Sequence, residues 1–224
     1  MKIGIFTAME SEARTFIGNA PKTTIGMFSF YTFNLGRHQA VLCCPPNVGE
    51  IAAASATQLL ITHFGVDLVL NFGIVGALTE EMSVLSTVLV ESVVHYQMDT
   101  SPIDEGFVPG QYICFDTIAV PCDEKLLNIA KSVVDLPAVR IASADRFVAQ
   151  AEEKTALNAN FGATICDMES AGILFTCKFN NVPCLMVKCI SDSLFGGAGE
   201  YVQNSQKATQ GFFQFVLKLA DALN

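Results

Sequence analysis

Three carboxylates stand in apolar settings where a solvated surface charge is not expected. They are Glu12 in Thr7-Ala-Met-Glu-Ser-Glu-Ala13, Glu169 in Cys166-Asp-Met-Glu-Ser-Ala171, and Asp192 in Cys189-Ile-Ser-Asp-Ser193. Each follows an apolar, strand-like run, which puts it where a strand ends and a helix or loop begins. In open α/β sheets that rim is where ligands bind. Acidic groups converging on one crevice suit acid and base chemistry on a neutral, polar, sugar-containing substrate. Each residue also has a purely structural reading. Glu12, like Glu10 beside it, suits the first turn of a helix, where carboxylates complement the macrodipole. Glu169 fits the same place in a following helix, and Asp192 with Ser191 fits an N-cap. Their joint occurrence at three strand ends is what points to an enzyme.

A fourth segment, Asn71-Phe-Gly-Ile-Val-Gly-Ala77, follows an apolar strand and carries two glycines. Glycine lets backbone amides approach a ligand closely, and it also serves ordinary tight turns. The segment has neither the GxGxxG nor the GK[ST] pattern, so neither a dinucleotide nor a P-loop nucleotide is expected.

The elements that must position these residues are legible as alternating strand and helix patterns. Strands are expected at Lys2–Thr7, Thr24–Leu35, Gln39–Cys44, Leu68–Phe72, Ser86–Val94, Ala138–Ala142, Ala163–Cys166 and Cys184–Ile190. Helices are expected at Ser11–Ile17, Glu50–His63, Asp123–Val134, Glu152–Asn160 and Glu169–Asn180, with a long terminal helix near Tyr201–Ala222. The pattern predicts an α/β fold, a central mixed twisted sheet flanked by helices, in a single domain over residues 1–224. Phe212, Phe213, Val216, Leu219 and Leu223 form a helical stripe read as core or subunit contact. The stretch Met98–Tyr112, with its prolines and glycines, reads as a loop that faces solvent, substrate or a partner.

Composition narrows the function classes. A net charge of −9 with only 13 Lys+Arg argues against nucleic acid and against an anionic membrane surface. The eight cysteines form no CxxC pair and no ligand spacing with the three histidines. They read as reduced core residues, and neither a metal nor a cofactor is expected. The first strand begins within two residues of Met1, so no signal peptide is expected, and no apolar run is long enough for a membrane span. A cytoplasmic location is expected.

In order along the chain, Met1-Lys-Ile-Gly-Ile5 with Ala8-Met-Glu-Ser-Glu12, Asn71-Phe-Gly-Ile-Val-Gly-Ala-Leu78, Ser143-Ala-Asp-Arg-Phe-Val148, Asp167-Met-Glu169 and Ile190-Ser-Asp192 resemble the nucleoside phosphorylase/nucleosidase superfamily. The likeness is greatest to its bacterial 5′-methylthioadenosine/S-adenosylhomocysteine nucleosidase branch. It implies hydrolysis of the bond between adenine and a 5′-thio-substituted ribose. Asp192 matches the general acid that protonates the purine, with Ser191 orienting it, and Glu12 the base that activates water. Glu169 matches the group that grips the ribose hydroxyls, and Met168 lies against the sugar. Phe147 matches the ring stacked on the base and Val148 the backbone that reads its edge. Gly76 belongs to the matching glycine segment. Ile74 stands where the family often has a small hydroxyl residue, and Lys188 where it has an arginine, which keeps the charge and loses the bidentate fork.

The resemblance also implies a homodimer whose partner loop helps close the pocket for the 5′ substituent. An apolar setting is expected to favour the protonated, acid form of Asp192. Phosphorolysis of purine nucleosides, hydrolysis of futalosine-type nucleosides and a non-catalytic nucleoside-binding module are the alternatives. The scarcity of arginines and the acidic first loop favour water over phosphate as the nucleophile.

Overall fold

The computed structural model describes residues 1–209 and 211–223, apart from the side chain of Thr15. Its strands are β1 (Lys2–Phe6), β2 (Lys22–Ile25), β3 (Phe28–Leu35), β4 (His38–Cys44), β5 (Leu68–Ala77), β6 (Thr87–His95), β7 (Val120–Pro121), β8 (Ala138–Ser143), β9 (Ile165–Asp167) and β10 (Cys184–Asp192). Its helices are α1 (Glu10–Ile17), α2 (Glu50–Thr62), α3 (Glu124–Val133), α4 (Ala151–Phe161), α5 (Ser170–Phe179), α6 (Gly197–Ala208) and α7 (Phe212–Ala222).

All strands belong to one mixed sheet, as the alternating pattern predicts. β1 runs parallel to β4 and β5, whereas β2, β3 and β4 form an antiparallel meander at one edge. β5 is the branch point. It pairs in parallel with β10 along its length and antiparallel with β9 through Gly76 and Ala77. β10 pairs with β6, β6 with β8, and β8 with β9, so these five strands close on themselves.

Side chains alternate between two cores because successive strand residues point to opposite faces. Met186 and Ile190 join Phe6, Phe30 and the apolar faces of α2 and α5. Leu185 and Val187 join Ile3, Ile5, Phe72 and the faces of α1, α3 and α7. Every residue of β10 is buried, the expected mark of a strand covered on both faces. Each fully buried Phe or Leu in these cores contributes about 1.5–3 kcal/mol of transfer free energy.

Several expectations need correction. The run Thr24–Leu35 is two strands, split at Gly26, which takes the left-handed φ of +58° that a tight turn demands. β7 went unpredicted because two residues carry no periodicity. The expected terminal helix is two helices, with Gly211 at φ +96° opening the second. Its stripe is core: Phe212, Val216, Leu219 and Leu223 are buried, and Phe213 packs edge-on against Phe16. The expected strand Leu68–Phe72 runs on through both glycines to Ala77, so the segment is a strand and not a turn.

Candidate active site

The carboxyl ends of β1, β5, β9 and β10 border one cleft of about 220 Å³. Of the residues singled out in the sequence, Glu12, Ile74, Gly76, Phe147, Met168, Glu169, Lys188, Ser191 and Asp192 all line it. Val148 does not. It borders a small adjoining recess shared with Gly76, Phe147 and Asp192.

Glu12 serves both of its sequence readings at once. It sits in the first turn of α1, where Oε2 accepts a hydrogen bond from Met9 N at 3.0 Å, as a helix-start carboxylate should. Its other oxygen crosses to β5 and accepts from Ile74 N at 3.1 Å. The contact at position 74 is therefore a backbone amide, which isoleucine supplies as well as a small hydroxyl residue would. Burial pushes the Glu12 carboxyl up to about 7, against the Met9 hydrogen bond and the charge of Lys188, which favour the anion.

Glu169 lies one residue before α5 rather than inside it. Its side chain caps a different helix: Oε1 accepts from Gly49 N, the start of α2, at 3.0 Å. Burial, and then the charge of Asp167, push it above the ordinary carboxylate range, while Lys188 pulls the other way.

Lys188, on β10, is 2% exposed and donates to Asp167 Oδ2 at 2.7 Å. Burial works against its charge. The charges of Asp167, Glu169 and Glu12 outweigh that and keep its ammonium above its ordinary value.

The two glycines face side chains of the site at different distances. A Cβ on Gly73 would come within 3.4 Å of Glu12 Oε1 and 3.6 Å of Lys188 Nζ. On Gly76 it would come within 3.0 Å of Asp192 Oδ2. Neither glycine has a positive φ, and the Gly73 contacts are ordinary van der Waals distances, so it is only at Gly76 that room for a charged group favours glycine.

Asp192 caps no helix. It ends β10, is 2% exposed, and has Ser191 Oγ 2.8 Å from Oδ1. It is buried as expected, but its setting is charged and hydrogen-bonded rather than apolar. Lys154 Nζ, on α4, donates to Oδ2 at 2.6 Å and to the carbonyl of Ser193 at 2.7 Å. Sequence reasoning assigned Lys154 no role. The available signal was its spacing from Leu157, which puts a lysine on the buried face of an otherwise solvated helix.

Other members also went unassigned. Asp167 ties Lys188 to the start of α5, accepting from Ser170 Oγ at 2.6 Å. Tyr201, on α6, lines the cleft opposite Phe147, ring edge to face at 5.3 Å. Among the described residues no group of His, Cys, Asp and Glu is arranged to hold a metal ion, and no helix is long and apolar enough to cross a membrane.

Comparison with known proteins matches a family model described as Phosphorylase superfamily over residues 2–221. A 5′-methylthioadenosine/S-adenosylhomocysteine nucleosidase of Exiguobacterium sp. is 32% identical, covering 86% of this chain and 85% of that one. An aminodeoxyfutalosine nucleosidase of Campylobacter jejuni is 28% identical over all of both chains. Among solved structures, a futalosine hydrolase mutant of Helicobacter pylori superposes with a TM-score of 0.92 at 26% identity, again over all of both chains.

Proposed function

From the premise that this chain belongs to the phosphorylase superfamily, we propose that it is a nucleosidase that hydrolyses the N-glycosidic bond of 5′-substituted adenosines, 5′-methylthioadenosine and S-adenosylhomocysteine first among them. Its relatives are named nucleosidases, and several act on such thionucleosides. One observation carries the choice of water over phosphate. Glu12, Asp167, Glu169 and Asp192 all line the cleft, and the lysine among them, Lys188, is already committed to Asp167. Lys154 is likewise committed to Asp192, so a phosphate dianion beside Glu12 and Glu169 finds, among the described residues of the cleft, no cation free to receive it, and their negative charge opposes it in a low dielectric. Arg14, the arginine nearest Glu12 in sequence, is exposed on α1 and lies outside the cleft lining.

The chemistry then divides between the two ends of the cleft. Asp192 passes a proton to N7 of the purine, and the electron pair of the C1′–N9 bond leaves with the base. The Lys154 ammonium behind Asp192 compensates the carboxylate that remains. Glu12 takes a proton from water as its oxygen attacks C1′, and a carboxyl poised near 7 is well matched to a base at neutral pH. Glu169 and Met168 hold the sugar, and Phe147 and Tyr201 close over the base. The resemblance gives Val148 a backbone role at the edge of the base, from the recess beside the main cleft.

A futalosine-type 6-aminonucleoside is the second reading, favoured by the full-length match to the Campylobacter and Helicobacter proteins. A homodimer is supported by apolar side chains left in solvent along one groove, Ile51 at 79% and Phe179 at 60% exposure. A single domain and a cytoplasmic location, with its cysteines reduced, complete the reading. Adenine release from methylthioadenosine, S-adenosylhomocysteine and aminodeoxyfutalosine, each with and without phosphate, tests it. Release from the thionucleosides at a rate indifferent to phosphate is expected. Release from none of them, or only with phosphate, would overturn it.

A further inference from the structure

Behind the sugar end of the cleft, and outside its lining, lies a further buried carboxyl with an unusual proton count. Glu50, the first residue of α2, is 8% exposed. Its Oε1 is 2.5 Å from Ser143 Oγ, on β8, and the same Oγ is 2.6 Å from Asp167 Oδ1. Ser143 Oγ also accepts from Ala171 N at 3.2 Å. A serine hydroxyl has one hydrogen to give. Two carboxyl oxygens at such short range cannot both be acceptors of it, so one of the two acids must itself donate.

Asp167 is not that acid. Its Oδ2 accepts from Lys188 Nζ and Ser170 Oγ, and its Oδ1 from Ser170 N at 3.2 Å. Burial raises it, but the charge of Lys188 and the hydrogen bonds from Lys188, Ser143 and Ser170 together hold it below its ordinary value. The proton belongs to Glu50, giving an ordered chain: Glu50 donates to Ser143, Ser143 to Asp167, and Lys188 to Asp167 from the other side. The second oxygen of Glu50 accepts from Gly172 N, in the first turn of α5.

We propose that Glu50 is a positioning residue that stays a neutral carboxylic acid at neutral pH and clamps the start of α2 to β8 and α5, so that the Gly49 amide and Lys188 hold Glu169 and Asp167 in place. The proposal rests on reading Glu169 as the group that grips the ribose. The adjacent backbone fits the same purpose: Glu50 N donates to Asp145 Oδ1 at 2.7 Å and Gly49 N to Glu169. A Cβ on Gly172 would come within 2.5 Å of the Glu50 carbonyl, so α5 can approach α2 only with glycine there.

The groups around Glu50 favour its neutral form. Burial, and then the charge of Asp167, push it up to about 8, with Glu169 adding to the effect. Across the groove stand His95 and Tyr112, bonded to each other at 2.7 Å. Burial holds His95 below its ordinary value, and burial and the charge of Glu50 raise Tyr112 to about 12. Lys188 lies on the far side of Asp167. When Glu50 loses its proton, two anions face one hydroxyl hydrogen and the clamp loses a bond.

The test compares Glu50→Gln with Glu50→Ala. A glutamine amide donates to Ser143 as the acid does and accepts from Gly172 N, so it reproduces the neutral form. E50A is expected to lose roughly tenfold or more in kcat/KM at neutral pH, the scale of a misplaced contact group. E50Q is expected to rescue most of that loss, and its ratio to wild type is expected to rise from about pH 7 to about pH 9 as wild-type Glu50 ionises. Thermal stability reads the same proton without any substrate. Between the ordinary value of 4.5 and about 8 the folded wild type holds a proton that the unfolded chain has released, so its stability falls as pH rises through that window. The Tm of E50Q minus that of wild type should therefore grow across it and level off above.

E50Q as impaired as E50A, or activity and Tm differences indifferent to pH, would overturn the proposal. A pH-dependent Tm gap in a protein that hydrolyses no nucleoside would leave Glu50 as assigned and remove the nucleosidase reading instead. Should E50Q fail to fold, the protonated-carboxyl infrared band that wild type shows and E50A lacks decides, since Glu12 and Glu169 contribute to both proteins. Its loss around pH 8 is expected, and its absence at neutral pH would overturn the proposal.

Discussion

The two ends of the cleft use charge differently. At the base end Asp192 has a lysine to itself, Lys154, 2.6 Å away and wholly buried. At the sugar end Glu12, Glu169 and Asp167 share one lysine, Lys188, and the short ion pair belongs to Asp167. Glu12 and Glu169 feel that charge only at a distance, and burial pushes both of them up. A lysine of its own compensates the anion that Asp192 leaves once its proton is given up, whereas a shared cation leaves its outer partners easily protonated. The first arrangement suits a group that must be left as an anion in the right position. The second suits a group that must accept a proton near neutral pH.

The largest expected effect breaks the base end alone. Asp192→Asn keeps the shape and removes the proton, so turnover should fall by roughly 10²–10⁴ while nucleoside affinity, read by calorimetry, changes little. Turnover near that of wild type would mean that the acid lies elsewhere.

Removing either lysine costs stability, because one buried partner is left uncompensated; about 3–5 kcal/mol is expected for Lys188→Met and for Lys154→Met by denaturant unfolding. The two should differ in their pH profiles. Lys188→Met removes the charge that favours ionised Glu12, and the pH of half-maximal kcat/KM should move upward. Lys154→Met should leave that pH where it is. Equal shifts in both variants would erase the distinction between the two ends.

A third effect sharpens the sugar end. Glu12 holds its proton to about 7 in the fold and to about 4.5 in the unfolded chain. Between those values the folded state binds the extra proton, so stability falls as pH rises and is level above the window. The whole change is on the order of 3 kcal/mol, and it should vanish in Glu12→Gln. In the wild type kcat/KM should rise through about pH 7 as the base ionises.

The smallest effect concerns Ile74. Since its backbone amide makes the contact with Glu12, Ile74→Ser should change kcat/KM only a few-fold, or less than about 1 kcal/mol. A loss of a hundredfold would show that the side chain matters to the site.

These contrasts also show what a sequence can and cannot display. The helix from Glu50 and the strand from Cys184 were legible because each is a long, largely apolar run. Glu12, Glu169 and Asp192 were legible because a carboxylate interrupts an apolar run at a strand end. Gly73 and Gly76 drew notice as a close-approach or turn segment, but Gly76 leaves space for Asp192 of β10, which no local pattern reveals. Lys154 and Glu50 were passed over for a related reason. A lysine in mid-helix and a glutamate at a helix start are ordinary in solvent, and only the folded packing buries each against a partner distant in sequence.

The central claim is that water attacks C1′, with the acid at one end of the cleft and the base at the other. Turnover of methylthioadenosine in ¹⁸O-labelled water containing phosphate, followed by mass spectrometry of the sugar, tests it most directly. The account predicts free methylthioribose carrying one atom of label, and unlabelled adenine. Methylthioribose 1-phosphate, formed in proportion to added phosphate, would contradict it.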